Sequence, residues 1–129
     1  MITLEHVEFC YEDGKKVLSD LNYTFEMGNC YCLQGPNGSG KSTLFRILNG
    51  LSFPTKGRFL FEGEEITAKK MKNPDFMNRF HKNIGYIFQN SEIQLFTKSV
   101  EDEVAFGLYQ LGLSEVEVRQ KTEQYIHLL

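Results

Sequence analysis

Apolar and polar positions along the chain change period several times, and each change marks a new element. Residues 2–9 alternate, with Ile2, Leu4, His6 and Glu8 on one side and Thr3, Glu5, Val7 and Phe9 on the other. Neither side is cleanly apolar, but the β-rich composition predicts a strand. Glu12-Asp13-Gly14-Lys15-Lys16 has the composition of a hairpin turn. A second strand is expected over 22–26, where Tyr23 and Phe25 share a face. Gly28-Asn29 then turns the chain into residues 30–33, a short and almost wholly apolar run. Such a run fits a strand buried on both faces, as parallel strands are.

A helix is predicted from about Lys41, because Leu44, Ile47, Leu48 and Leu51 fall at i, i+3, i+4 and i+7. Asn49-Gly50 supplies a left-handed stop. Residues 57–61 read as a strand turned by Glu62-Gly63, which puts the β strands of this part of the chain within 1–34 and 57–66. Residues 67–83 are polar and ambiguous, and Pro74 breaks any long helix there. Residues 84–88 read as a strand. Ser99 and Ser114 each open a helix, and Ser114 with Glu117 makes a capping box.

Composition narrows the class. At 129 residues the chain is one domain or part of one. Hydrophobic content of 41% with 24% charged residues is globular, not disordered. The net charge of -3 leaves no basic field for nucleic acid or an anionic membrane, so no nucleic-acid partner is expected. A polyanionic ligand must therefore be held by local geometry. Cys10, Cys30 and Cys32 show no disulfide or metal spacing, and buried apolar thiols in a reducing cytosol are the expectation. Apolar runs fall far short of the ~20 residues of a membrane span, and no secretory signal opens the chain. His6, His81 and His127 have no ligand spacing and no evident paired acid. Lys69-Lys70-Met71-Lys72 reads as a solvated loop in preference to a phosphate site.

The chemistry concentrates in Gly35-Pro36-Asn37-Gly38-Ser39-Gly40-Lys41-Ser42, which matches G-x-x-x-x-G-K-[ST] in full. Glycines let the backbone wrap close to a phosphate with no Cβ in the way. Successive N–H groups and the positive end of the following helix then point at the anion. Lys41 places a compact charge on the outer phosphates, and the Ser42 hydroxyl is suited to Mg²⁺. The position between an apolar strand and an amphipathic helix is the context the motif requires.

Extended through Thr43 and Leu44, this loop resembles that of ABC ATPases. The resemblance continues in Leu48-Asn49-Gly50-Leu51 and Pro54-Thr55-Lys56-Gly57, in Phe9-Cys10-Tyr11 upstream, and in Ile84-Gly85-Tyr86-Ile87-Phe88-Gln89-Asn90 downstream, which is similar to the family's Q-loop strand. Phe88-Gln89-Asn90, Gln94-Leu95-Phe96 and residues 99–107 are similar to energy-coupling factor and cobalt-type import ATPases. The resemblance implies an α/β P-loop NTPase of the ABC ATPase type, with an N-terminal antiparallel β subdomain and an incomplete parallel RecA-like core. Within a partial nucleotide-binding domain over 1–129, it puts the loop and its helix at 35–51, the Q-loop region at 84–96, and the start of a helical subdomain at 99–129.

It also implies ATP and Mg²⁺ as cofactors. Gly35 through Thr43 would hold the phosphates and Tyr11 would stack on adenine, unless it is only a strand-end tyrosine half packed on the sheet. Lys41 and Gln89 would be catalytic, and Ser42 and Gln89 would reach the metal; a polar residue ending a strand is the plainer reading of Gln89. Gln94, Leu95 and Phe96 would meet a transmembrane subunit, although an ordinary loop anchored by its two apolar residues fits nearly as well. Implied partners are a second ATPase subunit and that membrane subunit. The implied place is the cytoplasmic face of the membrane, or the cytosol for an isolated fragment.

The family's later motifs find no match in 1–129: the strand ending in aspartate and glutamate, the signature sequence and the switch histidine. Phe59-Leu60-Phe61-Glu62 resembles the first only superficially, since Gly63-Glu64 marks a hairpin. A fragment or truncated product is therefore expected, with negligible ATP hydrolysis by itself. A nucleotide-binding remnant and a non-transport ABC ATPase are the alternatives. The short segment from Ser91 to Gly107 argues against the repair type, which usually carries a long insertion.

Overall fold

The computed structural model describes residues 1–90 and 92–128; the expectations that fall on Ser91 and Leu129 lie outside the described residues. The chain forms two compact units, Met1–Ile84 and Gly85–Leu129.

The first unit is built on an antiparallel sheet of order β2-β1-β3-β4. Its strands are β1 (Ile2–Cys10), β2 (Lys16–Phe25), β3 (Lys56–Phe61) and β4 (Glu64–Glu65). The mixed alternation of residues 2–9 has a physical cause. Leu4 pairs with Tyr23 but Val7 pairs with Leu21, so β1 carries one extra residue between them. This bulge reverses the parity of the strand, and Leu4, Val7 and Phe9 all reach one core. His6 sits in the bulge at φ 49°, opposite Asp20 at φ 48°. His6 Nδ1 lies 2.7 Å from Asp20 Oδ1, and the His6 amide donates to Asn22 Oδ1 at 2.7 Å. The histidine does have a paired acid, brought to it across the hairpin by the bulge. On the other side of β1, Gly57 adopts φ 78°, and a Cβ there would overlap the carbonyl oxygens of Glu5 and His6. Only glycine lets β3 run this close to the bulge.

Helix α1 (Lys41–Leu48) packs Leu44 and Ile47 into the core formed with the sheet. It ends as the Asn49-Gly50 pair predicts: Gly50 N donates to Ile47 O and Leu51 N to Arg46 O, both at 2.9 Å, a Schellman stop. Residues 67–83 resolve into α2 (Ala68–Met71) and α3 (Pro74–His81). Pro74 begins α3 instead of merely breaking a helix, since its missing N–H is harmless in the first turn. The lysine run lies largely on α2, not in a loop, and Lys70 pairs with Glu64 at 3.2 Å. Phe80 of α3 meets Phe59 and Phe61 edge-on at 6.3 and 5.4 Å.

Two predicted strands are not strands. Residues 30–33 are irregular, and Cys30, Tyr31, Cys32 and Leu33 are exposed, with Cys10 half-buried. The buried-thiol expectation is thereby corrected. Residues 84–88 are also irregular, and Ile87 is 91% exposed. A strand exists only with a ladder partner, and among the described residues neither run has one. An apolar run reports where burial is wanted, not what supplies it. Tyr31 instead leans on β2, with its ring 5.1 Å from Phe25 and 5.9 Å from Tyr23.

In the second unit, α4 (Val100–Gln110) and α5 (Glu115–Ile126) pack against each other after a 3₁₀ turn at Glu92–Gln94. Ser99 caps α4, and Ser114 with Glu117 forms the predicted capping box on α5. Among the described residues, Leu108 and Val118 are the buried apolar residues here. No helix among the described residues is long and apolar enough to cross a membrane.

Candidate phosphate-binding site

Residues 35–40 form an irregular loop that runs directly into α1. The N-cap of α1 is Gly40 at φ 94°, with no side-chain capping bond and no acidic residue in the first turn. The first helical bond is Leu44 N to Gly40 O at 2.8 Å, so the amides at the start of the helix have no intrahelical acceptor. A helix start with neither cap nor acid keeps its full positive end for an outside anion.

Lys41 adds the charge. Its ammonium donates to Gly35 O at 2.7 Å and Pro36 O at 2.8 Å. The side chain is thus folded onto the loop and not extended into solvent, which holds the cation beside the uncapped amides. Ser42, the next residue, is exposed at the same helix start, and its hydroxyl is the oxygen suited to a hard divalent cation. The loop is braced from behind by β2: a Cβ on Gly40 would meet Val17 Cγ1 at 2.9 Å and Val17 O at 3.1 Å. Ser39 closes the loop internally, its amide donating to Pro36 O at 3.3 Å. These are the features a triphosphate with Mg²⁺ requires, so the residues fit the expected cofactors.

The structure also brings in Tyr11. Its hydroxyl lies 2.9 Å from Thr43 Oγ1, on a residue of α1 only 5% exposed. Phe9 meets the tyrosine ring edge-on at 5.0 Å, while the ring itself stays 44% exposed. Tyr11 is therefore anchored at both ends and still offers a face for stacking beside the loop. The Thr43 link and the Val17 brace were not foreseen from sequence, since nothing local ties residues 11 and 17 to the loop.

Gln89 belongs to the second unit, exposed in the irregular stretch before the 3₁₀ turn. Gln94, Leu95 and Phe96 follow, with Leu95 and Phe96 exposed. Phe96 packs edge-on against Phe106 of α4 at 4.7 Å. A carboxylate that sequence reasoning passed over organises this stretch. Glu103 Oε2 accepts from Phe96 N at 3.3 Å, Thr97 N at 3.0 Å and Thr97 Oγ1 at 2.6 Å. The Thr97 hydroxyl above all, helped by the two amides, holds the Glu103 carboxyl below the usual range against the desolvation that opposes it.

Loop, brace and uncapped helix together define a P-loop nucleotide-binding domain. The ABC transporter family matches residues 18–129, and this chain belongs to it. It is 44% identical to the nickel import ATP-binding protein LarO of Lactiplantibacillus plantarum, over 99% of this chain and 53% of that protein. It is 38% identical to the energy-coupling factor transporter ATP-binding protein EcfA of Methanothermobacter thermautotrophicus, over 96% of this chain and 39% of that protein. Among solved structures it is similar to cbiO1 from Clostridium perfringens, part of the ABC transporter complex cbiONQ. That match has a TM-score of 0.78 and 32% identity, covering 95% of this chain and 47% of the other. The chain spans about half the length of the curated relatives it matches. The fold is thus of the ABC ATPase P-loop type, with the antiparallel sheet at its N-terminal end.

Proposed function

We propose that this chain is the ATP-binding portion of an ABC-type ATPase that energises import of a transition-metal ion or a vitamin across a membrane. The carrying observation is the uncapped start of α1, with the Lys41 ammonium held on the Gly35 and Pro36 carbonyls beside it. In this reading residues 35–43 hold the phosphates of ATP, Ser42 and Gln89 reach Mg²⁺, and Tyr11 stacks on the base. ATP supplies a phosphoanhydride whose hydrolysis drives the membrane partner. The chain's residues bind it, orient it and neutralise its charge. Gln94, Leu95 and Phe96 meet a transmembrane subunit, and a second ATPase subunit completes the assembly at the cytoplasmic face.

The importer class is supported by the likeness to a nickel import protein, to an energy-coupling factor ATPase and to a member of the cbiONQ complex. Two measurements test the reading. Calorimetry with MgATP should show Lys41→Ala losing tenfold or more in affinity, about 1.4 kcal/mol or more; equal binding would remove the loop assignment. Co-expression with the transmembrane subunit should recover the two together from detergent, and DNA-stimulated ATP hydrolysis with no membrane partner would contradict transport. Residues 1–129 alone should turn over ATP negligibly, because the reading places no general base among them.

A further inference from the structure

Residues 96–97 are tied down by a device separate from the helix cap. Ser99 already caps α4, its Oγ accepting from Asp102 N at 3.1 Å. Glu103 is not needed for that purpose. Its Oε2 serves donors upstream of the cap: the amides of Phe96 and Thr97 and the Thr97 hydroxyl. Phe96 is pinned from a second direction by the edge of Phe106 at 4.7 Å. Yet Leu95 and Phe96 remain 66% and 64% exposed. Two large apolar side chains thus stay exposed beside a tethered backbone, where an untethered loop would fold them away from water. Ordering in advance is what a docking edge needs, because less conformational freedom is then lost on binding.

We propose that Glu103 is a positioning residue, which locks residues 96–97 onto the first turn of α4 and so presents Leu95 and Phe96 as an apolar edge to the transmembrane subunit. This rests on the docking reading of residues 94–96 given above. The carboxylate is separable from its acidic neighbours: Glu101 and Asp102 line the groove toward Arg119, Glu123 and His127 of α5, and Asp102 Oδ2 accepts from Ser99 Oγ at 2.8 Å. Lys98 adds a cation in the same connecting segment.

Two experiments test it. The first follows the amide protons of Phe96 and Thr97 by NMR through acid. Both should shift together with a midpoint below the ordinary glutamate value of about 4.3, and Glu103→Gln should abolish the shift. Amides that ignore acid, or that titrate unchanged in the variant, overturn the clasp. The second measures recovery of the co-expressed transmembrane subunit with the full chain as the cell makes it. Glu103→Gln and Thr97→Val should each lower recovery about tenfold or more, the scale of one lost charge-assisted bond, with the melting temperature unchanged. Loss of melting temperature in step with recovery would mean a merely structural role, and overturn the proposal. Leu95→Ser with Phe96→Ser should lower recovery further. If that double variant fails while Glu103→Gln matches wild type, positioning is wrong and docking stands. If the double variant docks normally, the docking reading itself falls, and the proposal falls with it.

Discussion

Tyr11 and Thr43 are 32 residues apart in sequence, and their hydroxyls are 2.9 Å apart in space. That bond joins the end of β1 to the helix that carries the phosphate loop, and it underlies the stacking role proposed for Tyr11. Base stacking on such a ring contributes about 1–3 kcal/mol. Tyr11→Ala should therefore weaken ATP binding about 5- to 150-fold by calorimetry. Tyr11→Phe keeps the ring and should change affinity far less, and equal losses in the two variants would shift the role from the ring to the hydroxyl. Gly57 makes a different demand. Its φ of 78° and the carbonyls of Glu5 and His6 against it leave no room for a Cβ. Gly57→Ala should cost about 3 kcal/mol or more, read as a large fall in denaturant midpoint. A change below about 0.5 kcal/mol, the scale of an ordinary surface substitution, would show that the bulge is not as tightly packed as described.

At the scale of elements, the helix starts carry a testable acid dependence. The Ser114 hydroxyl, chiefly, and the Ser114 amide hold Glu117 below the usual carboxylate range. A carboxyl lowered by folding contributes stability above its unfolded pKa and loses it as pH falls through the native value. The melting temperature should thus decline as pH drops from about 5 toward about 3, and Glu117→Gln should flatten part of that decline. A profile identical to wild type would separate the capping box from acid stability. Legibility follows the range of the interactions. Loop 35–43, the stop at Gly50 and the caps at Ser99 and Ser114 were readable because their partners lie within a few residues. The strand parity of β1 was not, because a bulge leaves no mark in residue type while reversing every side chain after it. Residues 30–33 and 84–88 were misread because an apolar run states a need for burial and leaves the covering partner unnamed. The pairings of Tyr11 with Thr43 and His6 with Asp20 depend on the folded hairpin, so no local pattern encodes them.

For the whole molecule, the charge of -3 and the loop point the same way. With a net charge of -3 the chain offers no general positive field, so in the proposed reading phosphate is captured locally by backbone amides and one lysine. The sheet and α1 supply the frame, since Val17 behind Gly40 and Thr43 beneath Tyr11 leave the loop little freedom. The same unit leaves an apolar cavity of about 260 Å³ lined by Leu4, Tyr23, Phe25, Tyr31, Leu33 and Leu44, in keeping with strand-like residues that lack a ladder partner among those described. The phosphate cradle is the claim on which the functional reading depends. Its most direct test is an amide NMR titration of the ¹⁵N-labelled chain with MgATP. The account predicts the largest shifts at residues 37–43, saturating together and absent in Lys41→Ala. Shifts confined to other segments, or a loop unmoved at saturating nucleotide, would contradict it.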